Sequence, residues 1–306
     1  MSGMTACFWG TRGSIPTPGR RTERYGGNTT CLEVRCGDTL LILDAGSGIR
    51  ELSLAWEREF GSQSIHASLL FTHLHWDHIQ GFPFFAAAYR QGNSFSIYGE
   101  QRSGGTIQQL LGSQMGGDYF PVPLSNMKSQ MEFRSIDGPF KVDDVLITPF
   151  PLPHPGGSLG FRIESNGHVL VLATDCELDD IAKNQEDIAA DFGTRRQYDE
   201  KLLAYFRGAH LLVIDCQFRD EDYGECKGWG HNSLSTVTDL CAQVSPRMMA
   251  LTHHDPKNGD ERVDDLVNEA IRRLQLQGHD ETLVFGAREQ LRMTVDLPKR
   301  PPAMQG

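Results

Sequence analysis

Four potential metal ligands fall within six residues of this chain, in the run Thr72-His73-Leu74-His75-Trp76-Asp77-His78. This HxHxDH pattern follows an apolar stretch, Ser68 to Phe71, and precedes Gly81. Imidazole and carboxylate are the donors that suit zinc, manganese or iron at a hydrolytic centre. One loop can aim two such groups at one cation and two at a neighbour, but it cannot fill two coordination shells. Three further positions fit that need: His154 in the run Pro151 to Gly157, Asp175 after Ala173-Thr174, and His253 after Leu251-Thr252, with His254 beside it. Each alone reads as a capped turn or a surface residue. Together with the first motif they read as a metal site.

Such side chains need strands that stop at a common edge. Short β-rich runs cover Thr39 to Leu43, Ser68 to Phe71, Val145 to Thr148, Phe161 to Ile163, His168 to Leu172, Leu211 to Ile214 and Met248 to Leu251. Asn166-Gly167 predicts a hairpin, since both residues tolerate positive φ. Val263, Leu266, Val267, Ala270, Ile271 and Leu274 recur at helical spacing, closing near Gly278. A second helix is expected through Leu234 to Cys241, capped by Asn232 or Ser233. A third, more polar one is expected within Asp179 to Phe206. Ser103 to Gly117 reads as a loop-and-helix excursion. Strands interleaved with helices make the fold class α/β.

The 306 residues carry 29 Lys plus Arg against 40 Asp plus Glu, a formal net charge of −11. That balance speaks against a general grip on nucleic acid, which needs positive charge. No apolar run is long enough to span a bilayer, and the start lacks a signal peptide's apolar stretch. Seven cysteines without a CxxC pair suit a reducing compartment. The expectation is a cytoplasmic protein without a membrane partner. We expect one domain over residues 1–297 and a Pro-rich tail over 298–306.

The order HxHxDH, His, Asp, His resembles the ligand pattern of the metallo-β-lactamase superfamily, and Leu43-Asp44-Ala45-Gly46 looks like its first motif. The likeness runs from about Phe8 to about Gly286. It implies an αββα sandwich, two mixed β-sheets face to face with helices outside, and a two-metal site along one edge. It implies that His73, His75 and His154 hold one metal and Asp77, His78 and His253 the other, with Asp175 bridging. His253 is preferred to His254 because the family's ligand directly follows the strand's Thr. Asp44 would orient the histidine loop from behind. The native metal stays open among zinc, manganese and iron, with zinc the first choice.

A second resemblance narrows the chemistry. Val213 to Phe218 ends a strand, and Gly228-Trp229-Gly230-His231-Asn232-Ser233 precedes a helix. In order and spacing this is similar to the ribonuclease Z branch and the bacterial phosphodiesterases related to it. There, an acidic residue at a strand end orients a histidine placed before a helix. The match implies those roles for Asp215 and His231, and the candidate catalytic residues are Asp77, Asp215 and His231. A metal-bridging hydroxide would attack phosphorus, and His231 would donate to the leaving oxygen. The resemblance departs from ribonuclease Z in the acidic charge and in the lack of a Gly/Pro-rich basic arm. The expected substrate is therefore a small phosphodiester, with a cyclic nucleotide plausible, and no general nucleic-acid binding. A homodimer is the family's common state. The alternatives are a lactone, thioester or β-lactam hydrolase on the same metals, for which His231 would be nearly dispensable, and a metal-binding sensor without turnover.

Weaker features carry plainer readings. Arg12, Arg20, Arg21 and Arg24 are expected in a solvated loop with surface ion pairs, with a phosphate-binding rim as the alternative. Phe82, Phe84, Phe85 and Tyr89 read as core, with a base-stacking wall as the alternative. Cys176 reads as a small buried residue.

Overall fold

Each of the seven apolar runs is a strand in the computed structural model, which describes residues 3–101 and 104–296. The tail expected from Pro298 lies outside the described residues. One sheet has the order β14-β1-β2-β3-β4-β5-β6. Its strands are β1 (Met4–Gly10), β2 (Cys31–Cys36), β3 (Thr39–Leu43), β4 (His66–Leu70), β5 (Ser94–Gly99), β6 (Gln130–Ser135) and β14 (Arg292–Thr294). The other has the order β13-β12-β11-β10-β9-β8-β7. It comprises β7 (Phe140–Val142), β8 (Val145–Leu152), β9 (Ser158–Ser165), β10 (His168–Ala173), β11 (Leu211–Asp215), β12 (Met248–Thr252) and β13 (Leu283–Gly286). Both sheets are mixed. The β9–β10 hairpin turns on Asn166 and Gly167 at φ 49° and 80°, as the dipeptide predicts.

Alternation along the strands builds the layers. Leu41 and Leu43 of β3 meet Leu211 and Val213 of β11 in a core between the sheets. Leu40 and Ile42 face the other way and pack with Leu52 and Trp56 of the helix Ile49–Phe60. Leu212 and Ile214 face outward onto Val237 and Leu240 of Leu234–Val244 and Leu266 and Ala270 of Asp260–Leu276. The result is the αββα sandwich. Strands covered on both faces read as unbroken apolar runs, which is why β3, β11 and β12 were legible.

Of the expected helices, one holds with its cap and another is broken. Ser233 caps its helix by accepting from the Thr236 amide. The polar helix expected within Asp179 to Phe206 is instead two short ones, Gln185–Ala190 and Glu200–Phe206. Between them Arg196 is buried, its Nε and Nη2 each 3.1 Å from Asp179 and its amide donating to Asp239. That buried ion pair pulls the chain inward and interrupts the helix.

A similar charged group braces the first sheet. The buried Glu33 carboxylate accepts from Trp9 Nε1 (3.1 Å), Trp56 Nε1 (2.8 Å), Arg35 Nε (2.6 Å) and Arg292 Nη2 (3.1 Å). Glu33→Gln should lower stability by about 3 kcal/mol, because it leaves buried donors poorly matched. Urea denaturation checks this, with activity per folded molecule expected to hold.

Register brings the chemistry to one edge. In the parallel set, Ala173 lies beside Ile214 and Asp215 beside Thr252, so β10, β11 and β12 stop at one level. Across the sandwich, β3 and β4 pair Leu43 with Leu70.

Candidate metal centre

Asp44, Asp175 and His253 each lie just past a buried strand, and each has positive φ, at 61°, 54° and 59°. For a residue other than glycine this backbone costs about 1–3 kcal/mol and clusters at functional sites. Asp and His are among the residues that tolerate it best.

The side chains converge in overlapping groups, two of which hold all seven expected ligands, while two more bring His231 together with His154 and Asp175 and with Asp215 and His253. His73, His75 and His154 offer ligand atoms within 4.8 Å of one another, and so do Asp77, His78, Asp175 and His253. Asp175 faces both: Oδ2 lies 3.6 Å from His73 Nε2 and 3.8 Å from His154 Nε2, while Oδ1 lies 3.1 Å from His78 Nε2 and 3.2 Å from His253 Nε2. Asp77 Oδ2 lies 3.1 Å from His253 Nε2 and 3.4 Å from His78 Nε2. His75 Nδ1 and His154 Nε2 face each other at 3.0 Å. His254 turns away, its Nε2–H donating to the Ala287 carbonyl at 2.8 Å. Burial takes that imidazole down to about 3.

The far nitrogens explain the aim of the rings. His78 Nδ1–H donates to Asp44 (2.8 Å), His154 Nδ1–H to the Gly230 carbonyl (2.9 Å) and His253 Nδ1–H to Gln217 Oε1 (2.8 Å). Thr72 Oγ1 donates to Asp44 and accepts from His73 Nδ1–H at 3.1 Å. Each ring then presents an Nε2 lone pair to the centre, the tautomer a cation needs. Asp44 thus braces the loop from behind.

The residues fit two divalent cations, as their own unmet needs show. Buried Nε2 atoms of His73 and His78 have no hydrogen-bond partner, although His78 Nε2 lies so close to Asp175. Burial holds His73 well below the usual imidazole range, with His78 adding to that, and burial also lowers His154. For His78 burial acts downward, but Asp175, Asp77 and Asp44 outweigh it and raise the ring. Carboxylates buried this densely need positive charge, and a metal ion held here would supply it.

Asp215 and His231 complete the edge. His231 Nδ1–H donates to the fully buried Asp215 at 2.6 Å. The His231 ring stacks on His253 at 4.8 Å between centroids and lies 5.3 Å from His154, so it borders both groups.

Several positioning residues escaped the sequence. Buried Glu177 accepts from Tyr223 Oη (2.7 Å) and from the amides of Gly228 (2.8 Å) and Gly230 (2.8 Å), tying down the loop that ends in His231. Its signal was a carboxylate two residues past Asp175. The Ser14 amide donates to Asp77 Oδ2 at 2.7 Å. Arg12 corrects the expectation of a solvated loop. It is buried and donates to the carbonyls of Gly26 (2.8 Å) and Asn258 (2.7 Å), oxygens that would otherwise be orphaned. Phe82 and Phe85 are core as expected, but Phe84 is exposed. Cys176 is buried and accepts from Asn232.

Gly230 makes a test of ring placement. Its φ is 89°, and a Cβ there would lie 2.2 Å from His154 Nδ1. Gly230→Ala should weaken metal binding by about 10–100-fold, as loss of an outer partner of a ligand does. Competition with a chromogenic chelator measures it.

A family model described as a beta-lactamase superfamily domain matches residues 39–254. The chain belongs to the metallo-β-lactamase superfamily. It is accordingly a metal-dependent hydrolase, and the superfamily's fold implies a binuclear divalent-metal site. Ribonuclease Z of Synechococcus sp. (strain CC9311) is 21% identical over 303 residues, covering 87% of this chain and 93% of its own. Ribonuclease Z of Haloferax volcanii is 25% identical over 284 residues, covering 82% and 84%. The crystal structure of human tRNase Z, short form, superposes with a TM-score of 0.65 at 16% identity, covering 96% of this chain and all of the other, a likeness of fold.

These relatives overturn one expectation. A small-molecule phosphodiester partner without general nucleic-acid binding, a cyclic nucleotide included, conflicts with relatives named as ribonucleases along most of the chain. The error was to let a net charge of −11 stand for the field at the site. Net charge sums the whole surface, whereas divalent cations held by these ligands would set the local potential at this edge. Among the described residues no helix is long and apolar enough to cross a membrane.

Proposed function

We propose that this protein is a two-metal phosphodiesterase that hydrolyses RNA. The observation that carries the reading is the Asp215–His231 pair, joined at 2.6 Å and bordering both ligand groups. Relatives named Ribonuclease Z, aligned along most of both chains, favour RNA as the substrate. We assign His73, His75 and His154 to one cation, Asp77, His78 and His253 to the other, and Asp175 to both. Zinc is the first cation to test, and the same donors accept manganese or iron. When bound, two such cations supply Lewis acidity and make hydroxide available near neutral pH.

The protein's own groups then have distinct tasks. Asp44 and Thr72 hold the histidine loop, and the Ser14 amide holds Asp77. Asp215 keeps the proton of His231 on Nδ1 and fixes the ring. With Nδ1–H committed to Asp215, the doubly protonated ring gives its Nε2 proton to the leaving ribose oxygen. An alkoxide is a poor leaving group, so this donation matters more for a phosphodiester than for an activated ester. The seven cysteines are buried and unpaired, which accords with the cytoplasm.

The test uses zinc-loaded and, separately, manganese-loaded protein with labelled folded RNAs bearing single-stranded extensions. Discrete products that vanish with a chelator and return with metal are expected. Intact RNA after incubation with protein holding two metals per chain would overturn the reading.

A further inference from the structure

The four tryptophans divide sharply by environment. Trp9 and Trp56 are 6% and 0% exposed, and both indole N–H groups donate to Glu33. Trp76 and Trp229 are 62% and 55% exposed. Trp is highly buried on average, so two solvated indoles in one region ask for a ligand.

Both belong to the rim of the metal centre. Trp76 stands between His75 and Asp77. Trp229 precedes Gly230, whose carbonyl accepts from His154 Nδ1 at 2.9 Å, and it lies two residues before His231. The His75 and His154 rings are 4.9 Å apart, so the loops bearing the two tryptophans meet at these histidines. Trp229 is braced edge-on by Phe218 at 6.3 Å, and Phe218 also meets the His231 ring at 6.0 Å. His75, Pro155 and Gly228 are exposed too, which marks this as the open side of the centre. Exposed Lys227 adds a cation two residues from Trp229.

We propose that Trp76 and Trp229 are stacking platforms for unpaired nucleobases on either side of the cleaved phosphodiester. The proposal rests on the RNA reading above and adds how the strand is gripped. Every base has a π face, so indole platforms beside a cationic centre hold a single strand without reading its sequence. The grip also explains how an acidic protein retains RNA. Charge acts at the metals and apolar contact acts at the rim, and neither needs a basic surface.

Steady-state kinetics of metal-loaded protein on a hairpin RNA with a single-stranded extension test this. Wild type is compared with Trp76→Ala, Trp229→Ala and the two Phe variants, on the same RNA with and without abasic nucleotides flanking the cleaved bond. Each Ala variant should raise KM about 5- to 150-fold, the fold-change equivalent to about 1–3 kcal/mol per stacked base. Its kcat should stay within about threefold, metal content should match wild type, and Phe should restore most of the loss. On abasic RNA, wild type and Ala variants should converge. RNA cleavage with KM unchanged in both Ala variants, or an undiminished penalty on abasic RNA, would overturn the platforms and leave the hydrolase reading standing. No cleavage of either RNA by wild type would overturn both.

Discussion

Replacing His231 with Ala should lower kcat on RNA by about 10²–10⁴-fold, the range for loss of a positioned general acid. Metal content per chain should stay at the wild-type value. The separation follows from geometry. The Nδ1–H of His231 is committed to Asp215 at 2.6 Å, and seven other side chains would hold the two proposed cations, although His231 also lies within ligand reach of His154 and Asp175. Asp215→Asn should reproduce part of the loss, because a neutral amide no longer compensates the positive charge of the ring that gives the proton. A thioester hydrolase would barely notice either change, since a thiolate leaves readily without a proton. If metal content fell in step with kcat, His231 would belong among the ligands and the acid role would be lost.

Asp175→Asn should be more damaging and should differ in kind. The two oxygens of Asp175 face different groups, Oδ2 towards His73 and His154, Oδ1 towards His78 and His253. An amide keeps the shape but removes the charge that both proposed cations would share and would turn a donor towards one of them. We expect no more than one metal per chain and a rate lower by about 10³-fold or more, several kcal/mol of lost Lewis-acid stabilisation. Elemental analysis alongside rates distinguishes the two variants. Two metals retained with near-normal turnover would remove Asp175 from its bridging place.

How much was legible depended on how local each signal was. The histidine loop is one contiguous run, and β3, β10, β11 and β12 are short apolar runs ending at chemistry-bearing residues, so strand ends and candidate ligands could be read together. In sequence the choice of His253 over His254 needed a family pattern, whereas in space the Nε2 of His253 faces Asp77 and that of His254 faces the Ala287 carbonyl. The braces were not legible. Glu177 holds Gly228 and Gly230 from about fifty residues away, and Ser14 meets Asp77 across 63 residues, partnerships that exist only after the sheets pack. The broken helix between Asp179 and Phe206 failed for the same reason, because tertiary pairing of Arg196 overrode local propensity. The net charge misled because it averages over a surface that the substrate does not sample.

The most direct test of the central claim is cleavage of RNA by metal-loaded protein in ¹⁸O-labelled water, under single-turnover conditions. Attack of water on phosphorus predicts one ¹⁸O atom on the terminal phosphate of the product, no 2′,3′-cyclic phosphate, and continued cleavage when the ribose at the scissile position lacks its 2′-OH. A cyclic phosphate, an unlabelled terminus or uncut RNA would contradict the account.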